Sequence, residues 1–281
     1  MLRDRVVTAI VLVAALLAAL FWLPPLGWTA LAAAVLAAAA WEWAGFARAG
    51  PGGRILYAVA TAGAGLAAAF GSGLATGGIG VLALAPAYFV ALAFWVIGAP
   101  LWLVRRPAHP PAALVLGAGW IVLLPTFLAL VQLRNLGPGT LLAFMATVWI
   151  ADIAAYFFGR KLGRRKLAPN VSPGKTWEGF YGALAATAVY AGAWIGLFRG
   201  ATPAAVRDLP WSPLWMIVLL EALAVLSVLG DLFESAMKRQ AGLKDSGALL
   251  PGHGGLLDRV DALTSTLPLA ALYFAYPLFW A

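Results

Sequence analysis

The sequence contains no cysteine and only two histidines among its 281 residues. The absence of cysteine excludes disulfides, iron–sulfur clusters, thiolate zinc sites and cysteine nucleophiles. Charged residues make up only 11% of the chain, whereas hydrophobic residues make up 63% and the mean hydropathy is +0.90. This composition excludes a soluble domain, because several separate apolar runs reach the roughly 20 residues that are needed to cross a bilayer.

Nine apolar runs are separated by charged or Pro- and Gly-rich breaks, and they predict an all-α polytopic membrane protein with about nine transmembrane helices. The predicted spans cover residues 6–23, 26–43, 55–71, 79–98, 112–132, 140–158, 177–198, 213–231 and 262–280. The first run is longer than the apolar core of a usual secretion signal, so we interpret it as an uncleaved membrane span.

Lys and Arg are distributed unequally between the two sets of connecting segments. The N-terminus and the loops after spans two, four, six and eight carry 16 of the 19 basic residues. Because cytoplasmic loops of membrane proteins are enriched in Lys and Arg, this distribution predicts a cytoplasmic N-terminus and an external C-terminus. The formal net charge of +8 reflects this bias and a need for anionic partners, and it does not indicate nucleic acid.

The chain shows no repeat and no linker, and residues 1–281 are therefore interpreted as one integral membrane domain. Residues 1–139 contain only two acids, Asp4 and Glu42, whereas residues 140–281 contain nine. We predict that the first part serves packing and lipid contact and that the second part is the catalytic half. Glu42 lies between two tryptophans and is interpreted as an interfacial anchor.

The densest group of charged side chains lies between Ser235 and Asp261. These 27 residues hold three acids, four bases and one histidine. Just upstream, Asp231 and Glu234 share a helical stripe with Ser235 and Lys238. Carboxylates that suit a hard divalent cation thus lie beside cations that suit phosphate.

A second basic segment precedes the seventh span. It begins with the run Arg160–Lys166 and ends in S-P-G-K-T, in which Ser172, Lys175 and Thr176 are predicted to contact phosphate. It is not a Walker A loop, because Pro169 stands where that motif requires its first glycine. The basic run alone also fits a purely topological role, and that alternative stays open.

Asp152 lies inside the sixth span, with Tyr156 and Arg160 on the same helical face. An acid within a span is costly to insert and is a functional candidate by default. The alternative is a structural ion pair with an arginine of a neighbouring helix.

His253 is flanked by three glycines, which let backbone amides approach a ligand closely. It fits direct ligand contact and a backbone-organising role equally well. His109 stands in a Pro-rich loop without nearby acids and is interpreted as a surface residue.

The segment from Ser235 to Asp261 resembles the signature of the phosphatidate cytidylyltransferases, also called CDP-diacylglycerol synthases. It contains S-x-M-K-R, K-D-x-G and L-P-x-H-G-G-x-x-D-R-x-D in order. The resemblance extends upstream to other elements, namely Asp152–Tyr156, G-R-x-x-G at Gly159–Gly163, S-P-G-K-T at Ser172–Thr176 and G-D-L-F-E-S at Gly230–Ser235.

This resemblance implies transfer of a cytidylyl group from CTP to phosphatidic acid, with Mg²⁺ held by Asp231 and Asp258. Asp245 and Asp261 are the second choices for metal ligands, and Asp152 organises the metal or the basic residues from the lipid side. The residues implied to bind the nucleotide and lipid phosphates are Ser172, Lys175, Thr176, Lys238, Arg239, His253 and Arg259. Lys175, Asp152 and the two metal ligands form the implied catalytic set.

The implied partners are CTP, phosphatidic acid and membrane lipids, without nucleic acid, and a homodimer is left open. We expect a bacterial inner-membrane protein whose active site faces the cytoplasm. Two alternatives remain. A CTP-dependent polyprenol or dolichol kinase would transfer the γ-phosphate instead, and a transporter would require internal symmetry and broken helices at the midplane, which the sequence does not show.

Overall fold

A computed structural model describes residues 2–197, 213–249 and 254–274, and these residues form a bundle of helices. The α-helices of the described residues are α1 Leu2–Trp22, α2 Pro25–Phe46, α3 Pro51–Gly71, α4 Val81–Ala93, α5 Ala99–Arg105, α6 Ala112–Leu136, α7 Pro138–Leu162, α8 Trp177–Leu197, α9 Pro213–Ala241 and α10 Leu257–Tyr273. A 3₁₀ turn occupies Leu74–Thr76, and a π-helical turn at Phe94–Gly98 joins α4 to α5.

Within the described residues each predicted span overlaps a helix, and the fourth, residues 79–98, corresponds to α4 and the π-helical turn that follows it. Among the described residues, six helical stretches are long and apolar enough to cross a membrane: Pro25–Phe46, Pro51–Gly71, Ala83–Arg105, Ala112–Leu136, Pro138–Leu162 and Leu214–Ala241. The chain is thus a helical integral membrane protein. A total of nine spans stays a prediction, and residues 275–280 of the ninth lie outside the described residues.

A short β-hairpin interrupts the helices and was not predicted from the sequence. Strands β1, Lys166–Ala168, and β2, Ser172–Thr176, pair in antiparallel register between α7 and α8. Glu178 in the first turn of α8 accepts hydrogen bonds from the amides of Arg164 and Arg165. The hairpin forms because this local carboxylate and the strand pairing satisfy its backbone, although its Gly, Pro and Lys content disfavours strand.

The core joins the two halves of the chain through aromatic packing. The buried ring of Phe233 on α9 contacts Trp43 of α2, Phe94 and Trp95 of the π-helical turn, and Trp102 of α5, with ring centroids 5.3–6.3 Å apart. Such aromatic pairs stabilise a fold beyond their area of burial. The N-terminal helices therefore support α9, which carries much of the predicted site.

Hydrogen bonds near the helix ends define two ends of the bundle. At one end, Arg48 after α2 donates to the carbonyl of Gln240 near the end of α9, and Trp102 donates to the Gln240 side chain. At the other end, Arg134 near the end of α6 donates to the carbonyl of Leu23. We call the first the charged end, because the hairpin and the loop before α10 also lie there.

Candidate active site

The charged end contains an acid–lysine cluster contributed by α7, β2, α9 and α10. Ion pairs and electrostatic interactions connect its members. The cluster consists of Asp152, Lys175, Asp231, Glu234, Lys238, Asp258 and Asp261.

The first ion pair of the cluster joins the hairpin to α9. Lys175 at the end of β2 places its Nζ 2.7 Å from Oδ2 of Asp231 and 3.4 Å from the carbonyl oxygen of Val228. The other oxygen of Asp231, Oδ1, accepts a long hydrogen bond of 3.4 Å from the Ser235 hydroxyl. With 34% of its side chain exposed, the Asp231 carboxylate is more open than that of Asp258, which is 9% exposed.

The second ion pair joins α9 to α10 and is more enclosed. Lys238 Nζ lies 2.6 Å from Glu234 Oε2 and 2.5 Å from Asp258 Oδ1. The Glu234–Lys238 contact is the i, i+4 pair predicted from the helical stripe. Oδ2 of Asp258 accepts from the amide and hydroxyl of Ser246, both at 3.0 Å, and from the amide of Gly255 at 2.9 Å. Both oxygens of Asp258 therefore have partners.

The surroundings of Asp258 keep its carboxyl group ionised. Burial raises its pKa, but the hydrogen bond from Lys238 and those from the amides of Gly255 and Ser246 lower it, and the net pKa lies below its ordinary value. Asp258 is thus an anion at neutral pH and accepts the hydrogen bonds of the loop in that form.

The backbones of α9 and α10 approach closely beside Asp231. A Cβ atom at Gly230 would lie 2.8 Å from the carbonyl oxygen of Asp261 and 2.5 Å from the Ser265 hydroxyl, so only glycine fits this crossing. The crossing brings Asp231 and Asp261 together, and the two interact electrostatically. Asp152 on α7 is exposed and interacts electrostatically with Lys175 and Asp231.

The remaining residues of the S-P-G-K-T motif lie in different environments. Ser172 is half-buried at the start of β2, whereas Thr176 is buried at its end. The Thr176 hydroxyl oxygen accepts a 3.1 Å hydrogen bond from the amide of Gly179 and so caps α8. Contact between phosphate and these two hydroxyls stays a prediction, but the capping role of Thr176 is an observation.

The other predicted residues lie around the cluster. Arg239 and Arg259 are exposed at the charged end, and so is Asp245 in the loop before α10. Arg160 donates to the Tyr156 hydroxyl at 3.1 Å, which confirms the shared helical face on α7. His253 lies outside the described residues.

Glu42 is the residue that sequence reasoning missed. It is 3% exposed, and its carboxylate accepts hydrogen bonds from the Ser246 hydroxyl and from the amides of Leu256 and Leu257, each at 2.9 Å. The interpretation of Glu42 as an interfacial anchor is therefore wrong, because the side chain is enclosed by the loop before α10. Its signal was present in the sequence, since an acid inside an apolar span is a functional candidate.

The carboxylates of the cluster are the candidate ligands for a divalent metal ion. Within the described ranges 2–197, 213–249 and 254–274, no three acidic or histidine side chains converge as metal ligands. Mg²⁺ is often held by only one or two protein carboxylates, with water and substrate phosphates completing its octahedron. Asp231, a partly exposed carboxylate with hard oxygen donors, fits this type of site. Asp258 fits it only if the ammonium of Lys238 moves away from Oδ1.

Comparison with known proteins places these observations in a family. The model of a family described as the cytidylyltransferase family matches residues 3–277. The phosphatidate cytidylyltransferase of Pseudomonas aeruginosa is 39% identical over 286 residues, covering 98% of both chains. That of Haemophilus influenzae is 36% identical and covers 99% of this chain and all of the relative, and that of Brucella suis is 38% identical over 98% and 93%.

The charged end of this helical membrane protein combines paired carboxylates and lysines with exposed arginines. The family match covers nearly the whole chain, including the N-terminal helices whose sequence carried little signal. The chain belongs to the cytidylyltransferase family.

Proposed function

We propose that this protein transfers the cytidylyl group of CTP to phosphatidic acid and releases CDP-diacylglycerol and pyrophosphate. One observation carries the proposal. Motif residues from residues 140–281 that are far apart in sequence meet in the acid–lysine cluster. The relatives that match this chain over nearly its full length are phosphatidate cytidylyltransferases.

In this reaction a phosphate oxygen of the lipid attacks the α-phosphorus of CTP. One P–O bond forms there, the bond between the α-phosphorus and its bridging oxygen breaks, and pyrophosphate leaves. The lipid phosphate is largely ionised near neutral pH, because the second pKa of a phosphate monoester is about 6. No strong general base is required, and catalysis rests on charge neutralisation and in-line positioning.

The cations of the site would bind the phosphates. Lys175 is the first candidate because its ammonium lies at a partly open position and is held by one accessible carboxylate. Ser172 and Thr176 on the same strand are further candidates, as are Lys238, Arg239 and Arg259 at the charged end. Charge-assisted contacts of this kind are stronger than neutral hydrogen bonds.

Mg²⁺ would be held first by Asp231, with Asp258 as the second predicted ligand. When bound, it would neutralise charge on the CTP phosphates and on the pyrophosphate leaving group. Asp231 also orients Lys175, so one carboxylate serves both the metal and the phosphate-binding ammonium. Asp152 and Asp261 each interact electrostatically with Asp231 and lie beside this position.

The orientation of the site follows from the charge distribution. We place the charged end in the cytoplasm of a bacterial cell, in a nine-span inner-membrane topology with the C-terminus outside. Reporter fusions should therefore locate Lys166 and Lys244 in the cytoplasm and Ala281 outside. A cytoplasmic Ala281 would remove the nine-span topology without removing the enzymatic function. A homodimer stays an open prediction.

Position-specific labelling of CTP tests the reaction. Purified protein in detergent with phosphatidic acid and Mg²⁺ should move label from the α-phosphate into lipid and leave γ label in pyrophosphate. Incorporation of γ label into lipid would instead show a lipid kinase. If neither label enters lipid, the enzymatic proposal fails and transport becomes the next function to test.

A further inference from the structure

Glu42 connects the N-terminal half to the loop that holds Asp258. Its contacts span more than 200 residues of sequence, from α2 to Ser246, Leu256 and Leu257. The amides of Leu256 and Leu257 stand at the start of α10, where backbone N–H groups have no partner within the helix. A carboxylate at this position also interacts favourably with the helix dipole.

The carboxylate of Glu42 sits in a cradle of two glycines. A Cβ atom at Gly247 would lie 2.4 Å from Oε1 of Glu42, and one at Gly255 would lie 2.6 Å from Oε2. Side chains at these positions would force the carboxylate away. The loop before α10 is therefore shaped to receive a carboxylate from another helix, and not merely to pass beside it.

Glu42 and Asp258 share the same donors. The Ser246 hydroxyl lies 2.9 Å from Oε2 of Glu42 and 3.0 Å from Oδ2 of Asp258, so its single proton can be donated to either oxygen. The amide of Gly255 donates to Asp258, and the next two amides donate to Glu42. The two carboxylates thus fix the loop from both sides.

We infer that Glu42 is a positioning residue for cytidylyl transfer, which sets the geometry of Asp258 by holding the loop before α10 in place. It acts through Ser246 and the backbone of Leu256 and Leu257, and the inference rests on the proposed role of Asp258. It gives the N-terminal half a direct part in the active site, in addition to packing.

Glu42→Gln is the variant that tests this role. Glutamine is nearly isosteric with glutamate, but its side-chain NH₂ group is a donor. It would face a group that donates a hydrogen bond to the carboxylate in the wild type, so one of these hydrogen bonds would be lost. Hydrogen exchange measured by mass spectrometry should be faster at residues 254–262, while the other helices exchange as in the wild type. Transfer activity should fall by ~10–100-fold, the range seen when residues that orient ligands are lost.

Trp43→Phe is the matched control. It lies next to Glu42 on α2, is equally buried, and loses a 2.8 Å hydrogen bond to the carbonyl of Val115 on α6. General loosening of α2 would alter both variants alike. For this control we expect hydrogen exchange at residues 254–262 as in the wild type and transfer activity within about twofold of the wild type.

Combination with Asp258→Asn separates the inference from the proposed function. Glu42→Gln should add little to Asp258→Asn, because both disable the same group, whereas it should multiply the effect of Lys175→Ala. If Asp258→Asn retains wild-type transfer, the proposed role of Asp258 fails, and the exchange data still decide whether Glu42 holds the loop.

Unchanged exchange at residues 254–262 in Glu42→Gln, or activity within about twofold of the wild type, would overturn the inference. If this variant does not fold, Ser246→Ala decides the question, since it removes only the shared hydroxyl. Faster exchange in the same segment with at least about threefold lower transfer supports the inference, and unchanged values of both refute it.

Discussion

The two lysine–carboxylate pairs of the acid–lysine cluster differ in their surroundings. Asp231 pairs one oxygen with Lys175, accepts a long hydrogen bond at the other, and is 34% exposed. Asp258 is 9% exposed, and Lys238, Ser246 and Gly255 occupy both of its oxygens. The open pair is suited to exchange its partners for substrate and metal, whereas the closed pair fixes α10 against α9.

Replacement of either aspartate should have the largest effect. Asp231→Asn and Asp258→Asn should each lower transfer by at least ~100-fold, as loss of a preorganised charged group does. The double variant should be far from additive, because the first loss already disables the site. Steady-state rates in detergent, with membrane insertion checked for each protein, measure this.

The two aspartate variants should respond differently to metal, which sharpens the comparison. Raised Mg²⁺, or Mn²⁺ in its place, should partly restore Asp231→Asn. It should not restore Asp258→Asn. The NH₂ group of asparagine would face Lys238 or the loop amides, which are themselves donors, and added metal does not replace the hydrogen bonds that are lost. Equal rescue of both variants would contradict the distinction between an open and a closed pair.

Lys238→Ala should destabilise the protein more than any other lysine replacement in the cluster. It leaves Glu234 and Asp258 as enclosed carboxylates without their cation, and breaking such a pair costs about 3–5 kcal/mol. Thermal unfolding in detergent should show a clear fall in Tm. Lys175→Ala provides the control, since its more open pair should change Tm much less.

Lys175→Ala should act on nucleotide use. Loss of one charge-assisted contact costs about 1.5–3 kcal/mol and should appear mainly as a raised KM for CTP. Lys175→Arg should not restore the wild-type value, since a planar fork does not replace a point charge. Unchanged turnover at subsaturating CTP in Lys175→Ala would exclude a phosphate contact at this position.

Thr176→Val should have the smallest effect. The change removes the oxygen that caps α8 and costs about 1 kcal/mol of stability. A modest decrease in Tm with nearly unchanged kcat is expected if capping is the only role of the hydroxyl. A large decrease in CTP use would instead support the predicted phosphate contact.

Much of the helical architecture was predictable because long apolar runs report it directly. The stripe of Asp231, Glu234, Ser235 and Lys238 was also predictable, since positions three and four apart share a face of α9. The fourth span was predicted too short, because helix continues through the π-helical turn at its end into α5.

The partners of the site residues could not be predicted. Lys175 meets Asp231, and Glu42 meets Ser246, through tertiary contacts that leave no periodic signal in the sequence. The hairpin was missed for a related reason, because its strands are stabilised by each other and by Glu178 and not by intrinsic strand propensity. Glu42 was misinterpreted because its aromatic neighbours suggested an interface.

Direct binding of Mn²⁺, followed by electron paramagnetic resonance in the presence of CTP and without phosphatidic acid, tests the central claim that Asp231 is the open, metal-binding carboxylate. Asp231→Asn should weaken Mn²⁺ binding by at least about tenfold, the lower end of the range for disrupted metal sites. Asp258→Asn should weaken it less. Wild-type affinity in Asp231→Asn would contradict the account.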